Sequence, residues 1–351
     1  MTVARTRHAV ALALVLAVVA PAVLVAAELR ERFDRGPLDT GVWSLCQSSP
    51  RLIGFAEEPP DAAAPRFLVS SIDDARGDAE CVRAAPAVPG GPAGGASLGP
   101  SMLFDRPAVT VASTARAIQR NELRFADRAR YGHVLDDPHW YALTFRMSGD
   151  IPTSGSVRWV SAQWKYDGAW PHSYAQSPFL AQRYDNGVLH VTVQADRCRC
   201  MIARAAGDPD ALAAAHPVPT GAGGLVPAAP LRCVWTGGDA REGAACTPPD
   251  LRLWVRSPGE MVSLPDPRDR WVAMMYHVRG GPDGDGLIDV YADGRFVVRA
   301  EGAIGYRGGA PGRVKFKFGT YRDRMPGTVH MAVDELCLSR SAAACRLVPA
   351  E

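Results

Sequence analysis

Short segments in which apolar and polar residues alternate recur along most of the chain. The pattern holds in Ala117–Phe125, Trp140–Met147, Val157–Lys165, Gly187–Gln194, Leu251–Val255, Trp271–Val278, Leu287–Tyr291, Arg313–Tyr321 and Val329–Leu338. A period of two sends successive side chains to opposite faces of a strand, so these segments predict at least nine half-buried strands. Glycine and aspartate punctuate them, and Asp283-Gly284-Asp285-Gly286 and Ala292-Asp293-Gly294 are hairpin signals. No segment shows the period of an amphipathic helix, and no longer unit repeats along the chain. The pattern predicts an all-β fold, a jelly-roll sandwich of antiparallel sheets.

Composition adds the organisation. Glycine (34) and proline (29) make up roughly 18 % of the 351 residues, against about 12 % on average, and they concentrate near 84–100 and 205–230. Both stretches read as long loop insertions within one domain over 28–351. Ahead of it, Arg5 and Arg7 precede an apolar run from Ala9 to Val25, broken by Pro21 and closing on Val25-Ala26-Ala27. This has the form of a signal peptide over residues 1–27. The other reading, a membrane anchor, needs a run at the short limit for a bilayer. No later stretch is long enough to span a membrane. Export predicts a secreted or periplasmic protein in an oxidising compartment, where the eight cysteines at 46, 81, 198, 200, 233, 246, 337 and 345 form disulfides. Cys337 with Cys345 is the first expected pair, and Cys233 with Cys246 the second. Cys198-Arg199-Cys200 with His190 offers a zinc site instead, which export and an even cysteine count disfavour.

Charge argues about partners. Taking Arg5 and Arg7 from the 39 basic side chains leaves them equal to the 37 acidic ones, so a net field attracts nothing, nucleic acid included. Any polyanion must be held by a local cluster. Among the basic residues only Lys165, Lys315 and Lys317 are lysine. Against so strong a preference for arginine, these positions suggest a need for a compact ammonium.

All three lysines fall on strand faces. Along Arg120-Asn121-Glu122-Leu123-Arg124-Phe125, Leu123 and Phe125 face inward while Arg120, Glu122 and Arg124 stand on the opposite face. In Trp159-Val160-Ser161-Ala162-Gln163-Trp164-Lys165, the same rule sends Trp159, Gln163 and Lys165 outward. In Lys315-Phe316-Lys317-Phe318-Gly319-Thr320-Tyr321, it sends Lys315, Lys317 and Tyr321 outward. If these strands are neighbours, the shared face suits a sugar chain bearing carboxylates or sulfates. The alternative is a solvated face whose charges pair across strands.

These residues resemble a family. Arg120-Asn121-Glu122-Leu123-Arg124 resembles the Arg-x-Glu-Leu-Arg strand of the jelly-roll polysaccharide lyases, the concanavalin-like group including heparin lyase I, glucuronan lyase and alginate lyases. Gln163-Trp164-Lys165 resembles their Gln-x-His strand, and Phe316-Lys317-Phe318-Gly319-Thr320-Tyr321 their Phe-Lys-x-Gly-x-Tyr strand. With Ser177-Pro178 and the hairpin Leu287–Val297, the likeness covers roughly residues 110 to 338.

The resemblance implies β-elimination at a uronic acid of an acidic polysaccharide. The C5 proton becomes removable once the adjacent carboxylate is neutralised, which calls for cations and amide donors. Arg120 and Gln163 would supply these, with Arg124, Glu122, Lys317, Lys315 and Trp159 as further substrate contacts. A base then takes the C5 proton and an acid protonates O4. Tyr321 aligns with the family's catalytic tyrosine, whose unperturbed pKa of about 10 would be lowered by cations. The departure is Lys165 in place of histidine. A lysine neutralises the carboxylate but serves poorly as base, so either Tyr321 is both base and acid or His172, in the following loop, joins it. Some heparin lyase I relatives use calcium, and Asp283, Asp285 and Asp289 offer carboxylates; they lack the rest of a calcium loop and also read as a hairpin. No obligatory cofactor is expected, and the protein is expected to be a monomer. The competing functions are a non-catalytic module for acidic glycans and a disulfide-stabilised envelope protein.

Overall fold

Two antiparallel sheets carry almost all of the regular structure. The computed structural model describes residues 28–31, 42–46, 53–56, 66–71, 118–125, 128–153, 158–166, 177–205, 224–236, 240–241, 243–256, 263–308, 312–323 and 329–345. The signal segment 1–27, the stretch 84–100, most of 205–230, His172 and Cys81 lie outside the described residues.

The larger sheet has ten strands. Their order is β11 (Val226–Ala228), β13 (Leu251–Val255), β16 (Arg295–Ile304), β15 (Gly281–Ala292), β14 (Val272–Arg279), β6 (His139–Gly149), β18 (Val329–Ser339), β4 (Arg66–Ser71) and β3 (Ile53–Ala56), and β1 (Leu29–Glu31) also pairs with β18. The smaller sheet has eight, ordered β12 (Arg232–Trp235), β10 (Cys198–Arg204), β9 (Val188–Ala195), β8 (Leu180–Asp185), β7 (Trp159–Tyr166), β17 (Val314–Asp323), β5 (Ile118–Phe125) and β2 (Trp43–Cys46). A single helical turn, α1 (Arg128–Tyr131), is the one helix among the described residues, and no helix there is long and apolar enough to cross a membrane. The all-β jelly-roll sandwich expected from the alternation is the observed architecture.

All nine periodic segments are strands, with ends displaced by a residue or two in most cases. Strand β10 escapes the pattern because a bulge between Met201 and Ala203 breaks its alternation. Asp293 and Gly294, both at positive φ (48° and 74°), close the β15–β16 hairpin in the mirror-image turn that matches strand twist. The other expected hairpin is an excursion. Gly281 pairs with Ile304 and Gly286 with Gly302, so the residues between them bulge out of β15.

The inward faces of the two sheets meet in an aromatic core. The Trp164 ring lies 5.4 Å from Tyr141, 5.0 Å from Phe316 and 4.8 Å from Tyr276, each pair stabilising the core by about 0.5 to 1.5 kcal/mol beyond its buried area. Some polar groups inside pair across the sheets. The Tyr276 hydroxyl donates to Gln182 Oε1 at 2.7 Å, and Gln182 Nε2 donates to Ser161 Oγ at 2.9 Å, tying the sheets together.

Three disulfides are present among the described residues. Cys337–Cys345 is the expected bridge, but the expected Cys233–Cys246 pair is not formed. Cys200 stands directly opposite Cys233 across β10 and β12 and bonds to it, leaving Cys246 to Cys198. Sequence proximity favoured Cys246, and strand pairing, invisible to spacing, prevailed. The sulfurs of Cys198, Cys200 and Cys233 lie within 4.8 Å of one another. Locked in bridges, they offer no thiolate, which removes the zinc reading.

Candidate active site

The strands β7, β17 and β5 lie side by side with β17 in the centre. Lys317 stands opposite Arg124 on one side and Gln163 on the other. One step along, Lys315 stands opposite Lys165; in the other direction, Gly319 is opposite Glu122 and Tyr321 opposite Arg120. Cross-strand partners share a face, so Arg124, Glu122, Gln163, Lys165, Lys315, Lys317 and Tyr321 stand together on the outer face of the smaller sheet. Arg120 joins the row by its backbone, while its side chain, like His172, is outside the described residues.

Part of this face is a buried polar network. Glu122, Gln163 and Lys317 are only 1, 2 and 3 % exposed. Gln163 Nε2 donates to Glu122 Oε1, and Glu122 Oε2 lies 3.9 Å from Lys317 Nζ. Glu122, expected from the sequence to meet substrate, is itself buried and contacts both the amide and the ammonium. A primary amide has two N–H groups, so one engaged by Glu122 leaves a second for a ligand oxygen.

Lys165, Lys315 and Tyr321 are half-buried. The Arg158 guanidinium, just ahead of β7, sits 5.2 Å from the centre of the Tyr321 ring. Gly319 has a φ of 129°, a conformation that favours glycine, and lies where β17 shifts register against β7 between Phe318 and Tyr321.

Trp159 requires a correction. Strict alternation placed it outward, but it is fully buried, with its ring 5.4 Å from Tyr184 and the Arg322 guanidinium 6.0 Å away. A register shift against β8 between Val160 and Ala162 is the cause. Two residues of β7 advance while β8 advances one, so Val160 turns to the outer face and Trp159 to the core.

The same row continues past Tyr321. Val160 pairs with Arg183 on β8, and Arg183 with His190 on β9. Arg183 is 5 % exposed, and its pKa is pushed down to about 10, chiefly by burial and then by the neighbouring Arg199 charge. Burial likewise depresses His190, although Asp185 lies 3.5 Å away. The sequence reading missed Arg158, Arg183 and Arg199. For Arg183 a signal was there: alternation through Leu180-Ala181-Gln182-Arg183-Tyr184 puts it on the outer face.

The carboxylates considered for calcium do not converge. Asp289 is buried on the larger sheet, held by Arg299 at 2.6 and 3.1 Å and by His277 at 3.4 Å. Burial alone would raise its pKa, and those bonds outweigh burial and hold it low. Asp283 and Asp285 are exposed in the excursion of β15. Among the described residues these three do not form a metal-ligating group.

A family profile described as polysaccharide lyase matches residues 105–336. The chain belongs to the polysaccharide lyase family. The match runs from ahead of β5 into β18, so every strand of the outer-face constellation lies within it. No curated protein matches this family member. Solved structures similar to it include an endo-β-1,4-glucuronan lyase from the fungus Trichoderma reesei, at 11 % identity and TM-score 0.42 over 84 % of this chain and 88 % of that one. A family 7 alginate lyase, A1-II′, in complex with substrate is 12 % identical at TM-score 0.41 over 86 % and 94 %. The alginate lyase from Corynebacterium sp. is 11 % identical at TM-score 0.36 over 87 % and 96 %.

Proposed function

We propose that this member of the polysaccharide lyase family is exported and cleaves a uronate-containing polysaccharide by β-elimination. The observation that carries the reading is the meeting of Gln163, Lys317, Arg124, Lys165 and Tyr321 on one face of three adjacent strands. Export is supported by the three disulfides and by the signal-like residues 1–27.

The chemistry follows from the positions. A uronate carboxylate accepts from the second N–H of Gln163 and is neutralised by the cations around it. This stabilises the negative charge that develops as the C5 proton leaves, and it acts strongly because Gln163 and Lys317 are already held by Glu122. The deprotonated hydroxyl of Tyr321 takes the C5 proton, the C5–H electrons form the C4–C5 double bond, and the C4–O4 bond breaks. Tyr321 then returns its proton to O4. Lys165, where related lyases carry histidine, contributes charge, so Tyr321 serves as both base and acid.

The test is a screen of glucuronan, alginate, heparin and related polymers for the ultraviolet absorbance of the unsaturated product. Lys165 also favours a second reading, a module that binds acidic glycans without cleaving them. Affinity for such polymers with no absorbance from any of them would establish that module in place of the lyase.

A further inference from the structure

One row of the larger sheet crosses five strands in register. Trp254 on β13 stands opposite Arg299 on β16, followed by Asp289 on β15, His277 on β14 and Trp140 on β6. Their neighbours along each strand, among them Leu253, Val298, Val290, Tyr276 and Tyr141, lie in the core. The row therefore stands on the outer face of its sheet, on the opposite side of the sandwich from Tyr321. Four strand steps make it about 19 Å long.

The ends of this row are aromatic. The Trp140 and His277 rings stack at 4.4 Å, and Tyr291, two residues beyond Asp289 along β15, lies 5.8 Å from Trp140. Trp254 closes the other end, and all four rings are half-buried. Between the ends is a built polar centre. Asp289, 2 % exposed, accepts from Arg299 Nε and Nη2 at 2.6 and 3.1 Å and lies 3.4 Å from His277 Nδ1. Arg299 Nη1 is 3.7 Å from Glu301 Oε1, beyond hydrogen-bond length. The His277, Arg299 and Glu301 side chains are 21, 34 and 38 % exposed, so a ligand can reach them.

Charge is matched within this strip, because Arg299 lies between two carboxylates, Asp289 and Glu301. It does not call for an anion as the Lys165–Lys315 face does. A hydroxyl fits beside Arg299 and Glu301, since it accepts from the guanidinium and donates to the carboxylate from one position. Sugar rings join such hydroxyls to apolar C–H patches, and the strip likewise joins its polar centre to aromatic ends. A purely apolar partner would strip water from Arg299 and Glu301 and return no hydrogen bond.

We propose that the strip from Trp140 to Trp254 is a second polysaccharide-binding surface, which holds an uncharged, hydroxyl-rich stretch of a sugar chain on the side of the molecule away from Tyr321. It goes beyond the elimination reading and stands whether or not Tyr321 performs that reaction.

The test measures dissociation constants, at low and high salt, for short glucuronan oligomers whose carboxyls have all been chemically reduced, which makes them neutral. The wild type should bind them with an affinity that salt leaves unchanged, because no net charge is being paired. Trp140→Ala, Trp254→Ala and Tyr291→Ala should each weaken binding about tenfold, while Lys317→Ala should not. Trp140 packs beside Cys337 and Cys345, so Trp254→Ala and Tyr291→Ala, on other strands, decide the matter if Trp140→Ala fails to fold. No binding by the wild type, unchanged affinity in the folded variants, or an equal loss in Lys317→Ala overturns the surface. Concentration-dependent dimerisation that Trp254→Ala abolishes also overturns it and gives the strip to a second copy of the chain. None of these measurements uses turnover, so a wild type that releases no unsaturated product refutes the elimination reading alone.

Discussion

Lys165 stands directly opposite Lys315 across the ladder between β7 and β17. Like charges facing each other on a sheet destabilise it, and the chain that places them here uses arginine almost everywhere else. The next positions along, Gln163, Lys317 and Arg124, continue the polar face. Under the proposed function, a bound polyanion would add counter-charge to this face.

Replacing Lys165 or Lys317 by alanine should weaken binding to acidic glycans, and the loss should shrink as salt rises because each contact is electrostatic. Neutral glycans should be indifferent. Titrations at low and high salt check this; unchanged affinity in both variants would show that neither lysine contacts the glycan.

Glu122→Ala should unfold the protein more easily by about 3 to 5 kcal/mol. It strips the counter-charge from Lys317, which is 3 % exposed, and the acceptor from Gln163. Urea denaturation measures it, and the double variant Glu122→Ala with Lys317→Ala should recover part of the loss.

The stability of the fold should fall in acid through buried imidazoles. His133, stacked 3.9 Å from His139 and bonded to the Tyr141 hydroxyl at 2.6 Å, is pushed down to about 3, chiefly by burial and then by His139. His330 is pushed down to about 4 by burial first. The unfolded chain takes up these protons near pH 6.5 and the folded one resists, so their contribution is complete above about 6.5 and is lost progressively toward about 3. Melting temperatures from pH 7 to 4 should show a shallower slope for His133→Gln than for the wild type.

Peptide mapping without reduction should recover Cys198 linked to Cys246 and Cys200 linked to Cys233. Removing either bridge should cost about 2 to 5 kcal/mol. A Cys233–Cys246 peptide would contradict the pairing of β10 with β12.

Much of this was legible in the sequence for physical reasons. Strands buried on one face advertise themselves by alternation, which is why β5, β7 and β17 and the outward setting of Gln163, Lys317 and Tyr321 were readable. Trp159 was not, because a bulge reverses alternation without changing composition. Nor was the burial of Glu122, since a carboxylate among arginines looks the same whether it meets solvent or pairs with a neighbouring amide. The disulfide partners depended on which strands pair, a long-range fact that spacing does not encode. Arg183 had the right alternation for the outer face, but nothing in the pattern shows that it is buried there.

The central claim is that Tyr321 performs the proton transfers. Tyr321→Phe removes only a hydroxyl, so the ring keeps its place beside Arg158 and the cationic face is untouched. The measurement is turnover of the responsive uronate polymer together with its dissociation constant. The expected result is a rate lowered by at least about 10² to 10⁴ with affinity nearly unchanged; wild-type turnover in Tyr321→Phe would contradict the assignment.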